Sequence, residues 1–252
     1  MPLDPIAIKA IHHVEIWAGN AKQAAYYYRK AFGFSQLAYA GLETGLSDRC
    51  SYCLAENRVR LVLSSPLASG GPMGEFLSRH GDGVRDIAFL VEDADSAFAT
   101  AVERGAKPLI EPCDRSDDHG AVRHAAIHTY GDVVHSFISM KDYEGCFLPG
   151  FRHEEIAEAG FGFKLIDHIV GNVEEGKMDA WRDWYEKVLG WHQHLSFDDK
   201  DISTEYTALR SKVMSNDKGN IRFPINEPAQ GKKKSQIDEY LDFNEGPGSQ
   251  HI

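Results

Sequence analysis

The sequence predicts an α+β fold of tandem βαβββ units, with curved mixed sheets and helices on their outside. Three observations carry this reading. A histidine-bearing strand, a turn, an aromatic amphipathic helix and a closing glycine occur twice, far apart in the chain. Ile11-His-His-Val-Glu-Ile-Trp17 with the helix read from Asn20 to Phe34 and closed by Gly33 is matched by Ile166-Asp-His-Ile-Val-Gly-Asn172 with the helical stretch from Lys177 through Gly190 to Trp191. Each helix is followed by alternating segments of strand type. A further echo opens at Gly83-Val-Arg-Asp-Ile-Ala-Phe-Leu-Val91, and its start recurs at Gly248-Ser-Gln-His-Ile252.

In chain order, the first unit opens near Ile11 and continues through strands at Ser35–Gly41, Leu46–Ala55 and Arg58–Ser64. The second opens near Val84, carries a helix from Ala94 to Gly105, and continues through Lys107–Glu111, Ala121–Tyr130 and Val133–Met140. The third opens near Leu165 and continues through Trp191–Phe197, Ile202–Met214 and Asn220–Asn226. Ser235 then opens a helix, and a Gly/Pro turn delivers Gln250 and His251 at the start of a fourth unit. The stretch Lys141 to Gly162 holds Gly145, Pro149, Gly150 and Gly160 and reads as a link. The expected division is 1–145, an N-terminal domain without metal; 146–163, a linker; and 164–252, a catalytic domain whose continuation is missing.

The totals exclude several classes. A chain of 252 residues with 42% apolar and 26% charged residues is globular in composition. Its net charge of −11 argues against a nucleic-acid footprint. No apolar run reaches the length of a membrane span, and the start Met1-Pro-Leu-Asp-Pro5 lacks the features of a secretory signal. Four cysteines do not make a disulfide scaffold, so a cytoplasmic setting is expected. Cys50-Ser-Tyr-Cys53 sits on a strand, where odd spacing sends the two thiols to opposite faces, so ordinary half-buried cysteines are expected rather than a metal or redox pair.

The candidate chemistry lies in His168 and His251. Each alone reads as a core histidine. The repeat places both on opening strands of neighbouring units, which pairing brings together. Two neutral imidazoles so placed suit a divalent transition metal, and a facial-triad iron site adds one carboxylate and leaves three positions open. No carboxylate of this chain has an evident claim to that place. The N-terminal counterparts are His13, Asp86 and Ile138, a set without a second imidazole. That half is therefore expected to serve packing or assembly, with His12 and His13 structural. His192 and His194 share a strand face and read as half-exposed. Lys232 to Lys234 read as a solvated approach to the last helix.

Ile166-Asp-His168-Ile-Val-Gly-Asn, Glu205-Tyr-Thr-Ala-Leu-Arg-Ser211-Lys-Val, Pro224-Ile-Asn-Glu-Pro228, Lys233-Lys-Ser-Gln236-Ile-Asp-Glu-Tyr-Leu and Gly248-Ser-Gln-His251-Ile together resemble the 4-hydroxyphenylpyruvate dioxygenase family. The likeness runs through the whole chain and is strongest from about residue 160 onward. That family has the vicinal-oxygen-chelate fold of βαβββ units. The resemblance implies that His168 and His251 are two of three Fe(II) ligands, the third being a glutamate beyond this chain. It implies that Ser211, Asn226, Gln236 and Gln250 face the substrate, an α-keto acid that chelates the metal. It further implies consumption of O2, release of CO2, ring hydroxylation to homogentisate in tyrosine catabolism, and homo-oligomeric assembly. Without the family's fourth unit, the chain as it stands is expected to be poorly soluble or inactive. Two other readings stay open: a hydroxymandelate synthase, and a metal-free small-ligand-binding protein of the same fold.

Overall fold

The computed structural model describes residues 3–197, 208–229 and 233–252. The first unit comprises β1 (Ile8–Trp17), α1 (Ala21–Phe32), β2 (Ser35–Ala40), β3 (Arg49–Glu56) and β4 (Val59–Pro66). A helix that the repeat does not announce, α2 (Gly71–His80), leads to the second unit: β5 (Gly83–Val91), α3 (Ala94–Glu103), β6 (Pro108–Asp117), β7 (Gly120–His128) and β8 (Val134–Ser139). After β9 (Arg152–Ile156) comes the third: β10 (Val170–Asn172), α4 (Met178–Leu189), β11 (His192–Phe197), β12 (Ala208–Ser215) and β13 (Arg222–Ala229). Then α5 (Gln236–Phe243) and β14 (Gly248–His251) follow. The N-terminal part of the strand expected at Ile202–Met214, the start of the motif at Glu205, and Lys232 lie outside the described residues.

The nine-stranded sheet runs β6-β7-β8-β5-β1-β4-β3-β2-β9. Two four-stranded units meet in it through the antiparallel pair β1 and β5, each with its unit's last strand parallel on the other side. The five-stranded sheet runs β11-β12-β13-β10-β14 and repeats that plan, with β13 parallel and β14 antiparallel to β10. Residues 146–163, read as a link, include β9, which adds to the first sheet beside β2.

The helices begin and end where local chemistry dictates. The side chain of Asn20 caps α1 by accepting from the Gln23 N–H at 3.0 Å, and Asp93 caps α3 through Ser96. Ser235 and Asp238 form a reciprocal capping box on α5. The aromatic face expected of α1 is only partly used. Ala21 and Ala25 make the close contact, while Tyr26 and Tyr27 are exposed. In α4 the expectation holds: Tyr185, Val188 and Leu189 are fully buried. Cys50 and Cys53 point to different sides of their sheet, into separate clusters, and all four cysteines are free thiols.

The helix-bearing faces of both sheets share a single core. Phe89 and His135 of the first sheet stack against Phe223 of the second, and Phe89 packs on Trp191. His135 is wholly buried, and its contacts fix its tautomer. Its Nδ1–H donates to the Ile87 carbonyl (3.1 Å), and its Nε2 accepts from the Tyr185 hydroxyl (2.9 Å). The two halves also meet at close backbone approaches. A Cβ added at Gly171 would meet the Tyr130 ring at 2.6 Å, and one at Gly131 would meet the Pro247 carbonyl at 2.1 Å. His80, buried in α2, reaches the Asn244 carbonyl through Nδ1 and Asp132 through Nε2 at 2.9 Å.

Gly190 closes α4 with φ +71, and a Cβ there would meet the Pro5 backbone at 2.6 Å. Gly190→Ala is therefore expected to lower stability by more than about 1 kcal/mol, read from urea unfolding. Burial pushes the His135 imidazole down from 6.5 to about 3. The unfolded ring takes a proton below 6.5 while the folded one stays neutral, so its stabilisation is lost as pH falls through that window. The urea midpoint should drop between about pH 7 and about pH 5, and His135→Gln should flatten that slope. His12, His13 and His124, also buried and held neutral, keep some of it.

Candidate metal centre

The second sheet places its functional side chains by strand parity. Side chains alternate between faces along a strand. His168, Val170 and Asn172 therefore share one face of β10 and its lead-in. His168 bridges to Arg222, and Asn172 stands in register with Asn226 of β13. Ser211 of β12 is in register with the same Asn226. On the other flank His251 of β14 is in register with Val170. The opposite face of this sheet, with Met214, Phe223 and Ile225, is spent on the core. The register is inherited from the repeat, since in the first sheet the counterpart pair is Glu15 and Asp86.

The Nε2 atoms of His168 and His251 stand 3.3 Å apart, with ring planes at 86°. Each ring's other nitrogen is engaged. His168 Nδ1–H donates to Asp167 Oδ2 at 2.9 Å, and His251 Nδ1–H donates to Gln250 Oε1. Asp167 is itself fixed by Arg222, whose Nη1 lies 3.2 Å from Oδ1. The hydrogen bond from His168, and then the Arg222 charge, hold the Asp167 carboxyl below its ordinary range. Partial burial, and then the His168 charge, lower the His251 pKa from 6.5. The lowered pKa favours the neutral form of His251, and the Nδ1 bonds of both rings leave the two Nε2 atoms facing one point. Two nitrogens bound to one ion at right angles, with bonds of roughly 2.1 Å, sit roughly 3 Å apart. The donor pair and its spacing fit a divalent transition metal. Among the described residues no group of three or more His, Cys, Asp or Glu side chains could hold one.

The other candidates divide. Ser211 is buried, and the half-buried Asn226 donates from Nδ2 to Asn172 Oδ1 at 3.3 Å. Gln250 is exposed beside its histidine. Gln236 is exposed at the first turn of α5, and no hydrogen bond joins it to this cluster among the described residues. His192 and His194 are both exposed. Sequence reasoning overlooked two residues. Asp167 orients the His168 ring. Asn172 is fully buried, and its Nδ2 has no partner among the described residues. The two-residue period running from His168 through Val170 would have placed Asn172 on the same face.

Fold and site together define a protein of paired βαβββ modules, with two imidazoles brought together where opening strands meet. Residues 12–122 and 160–252 each match the Glyoxalase/Bleomycin resistance protein/Dioxygenase superfamily, and the chain belongs to it. Members of this superfamily are typically metal-dependent. The chain is 49% identical over 249 residues to a 4-hydroxyphenylpyruvate dioxygenase of Danio rerio, covering 96% of this chain and 63% of that protein. It is 45% identical to one of Tetrahymena thermophila, covering 95% of this chain and 62% of that protein. The chain thus spans less than two thirds of the length of these relatives. Among solved structures, a substituted 4-hydroxymandelate synthase of Streptomyces coelicolor superposes with a TM-score of 0.83 at 28% identity, covering 98% of this chain and 70% of that one. No described helix is long and apolar enough to cross a membrane.

In the metal-free protein, the His251 ring is expected to titrate below 6.5. His168→Ala should raise that pKa part of the way back, because it removes the neighbouring charge and leaves the burial. A histidine-selective NMR titration reads both.

Proposed function

We propose that this chain is the iron-binding part of a dioxygenase that converts 4-hydroxyphenylpyruvate and O2 to homogentisate and CO2, in tyrosine catabolism. The observation that carries the proposal is the His168–His251 pair, with its Nε2 atoms 3.3 Å apart and its Nδ1 atoms engaged elsewhere. The names of the relatives support the activity. The spacing of the pair supports Fe(II) as one of the metals that imidazole suits.

In this reading His168 and His251 are two of the metal's ligands, and a carboxylate outside the described residues is the third. Bound Fe(II) supplies the oxygen chemistry and open positions for an α-keto acid. The chain supplies the rest. Asp167 fixes the His168 ring so that Nε2 stays a lone-pair donor. Gln250 does the same for His251. Ser211, Asn226 and Asn172 line the same sheet face and orient the substrate through neutral polar groups. These grip a phenol without burying an unpaired charge beside its ring. The family resemblance adds Gln236, on the first turn of α5, to the substrate-facing set. The assembly is a homo-oligomer in a cytoplasmic setting.

A 4-hydroxymandelate synthase is the second reading, favoured by the structural likeness at a TM-score of 0.83. The two differ in product. The whole protein carrying this chain, supplied with Fe(II), O2 and 4-hydroxyphenylpyruvate, is expected to release homogentisate. 4-Hydroxymandelate would favour the second reading, and no metal retention would favour a metal-free binding protein. In the chain itself, His168→Ala or His251→Ala should remove stoichiometric Co(II) binding, read by absorption. Asp167→Asn should weaken that binding about 10–100-fold.

A further inference from the structure

The face of the first sheet turned away from α1 and α3 encloses a cavity of about 470 Å³, within the range of small-molecule sites. His13 and Asp86 line it at the positions that His168 and His251 hold in the second sheet. Both are already engaged. His13 Nδ1 lies 2.8 Å from His12 Nδ1, and the Asp86 carboxylate accepts from the backbone N–H and the hydroxyl of Ser136. The Ser136 hydroxyl in turn accepts from His124 Nε2–H at 3.0 Å. His124 also lines the cavity, is only 6% exposed, and keeps an Nδ1 with no partner among the described residues. It is a buried acceptor without a donor.

Two cations of the lining have no use in the fold. Arg49 and Arg115 make no hydrogen bond or ion pair among the described residues. Their charges act on the cavity wall: after burial, they help hold the His124 ring neutral, down to about 3. Arg85, the third guanidinium of the lining, is occupied; it lies over the Trp17 ring and donates to the Asp132 carbonyl. Neither carboxylate of the lining is bonded to Arg49 or Arg115 among the described residues: Glu15 accepts from Ser64 at 2.6 Å, and Asp86 from Ser136. The rest of the wall is apolar, with Val62, Val122, Ile138 and Phe147.

We propose that this cavity of the first domain binds a small organic anion, its charge held by Arg49 and Arg115 and its apolar body laid against Val62, Val122 and Ile138. A carboxylate matches the guanidinium fork, and an apolar body suits a wall of aliphatic side chains and Phe147. The site is separate from the histidine pair of the second sheet, and each stands or falls without the other.

The test uses benzoate and its neutral isostere benzamide, titrated by calorimetry into the metal-free chain carrying H168A/H251A, so that the second sheet contributes nothing. Benzoate is expected to bind at least about tenfold tighter than benzamide, because the charge-assisted contacts are made only by the anion. R49Q/R115Q should erase that preference with an unchanged melting curve. R115Q alone, at an exposed position, should give a partial loss if the double variant folds poorly. Equal affinity for the two probes, undiminished benzoate binding in the folded arginine variants, or no benzoate binding at all would overturn the proposal.

Discussion

The antiparallel contact between the opening strands of neighbouring units governs this molecule. In the first sheet it joins β1 to β5, and in the second β10 to β14. Each unit by itself ends in a strand edge with unpaired backbone groups, and joining two opening strands satisfies one such edge on each. Because strand side chains alternate, a fixed register also decides which residues from the two units confront one another. His168 meets His251 for that reason, although 82 residues separate them in the chain by their numbers. A slip of one residue in β14 would turn His251 into the core and Gln250 toward His168.

The same register serves two different ends. In the first sheet it sets His13 near Asp86, and the local groups consume both through His12 and Ser136. In the second the neighbours Asp167 and Gln250 take only the Nδ1 atoms and leave the Nε2 lone pairs free to converge. The divergence comes from a few side chains at fixed backbone positions. The first sheet keeps its free cations, Arg49 and Arg115, further out on β3 and β6.

Much of this was legible in the sequence because periodicity and repetition are local signals. The strands of the first two units, the helix ends at Gly33 and Gly190, and the opposed directions of Cys50 and Cys53 all follow from spacing. The histidine pair required one further step, the inference that duplicated units pair alike. What stayed hidden depends on contacts between distant segments. β9 joins the first sheet by covering β2, and nothing in Arg152–Ile156 distinguishes it from a polar link. α2 has no counterpart in the repeat. Asp167 and Asn172 acquire roles only once Arg222 and Asn226 lie beside them. Gln236 carried a family pattern, and the α5 turn leaves it at the surface.

The close seating of Tyr130 on Gly171 and of Gly131 under Pro247 bears on how the molecule is made. The first domain leaves the ribosome before β10 and β14 exist, and its sheet closes with contacts entirely its own. The face it turns to the second sheet, with Phe89, His135 and the turn at Tyr130, is completed only when Phe223 and Tyr185 arrive. The later strands are laid against it, so the half without the paired imidazoles is finished by the half that has them.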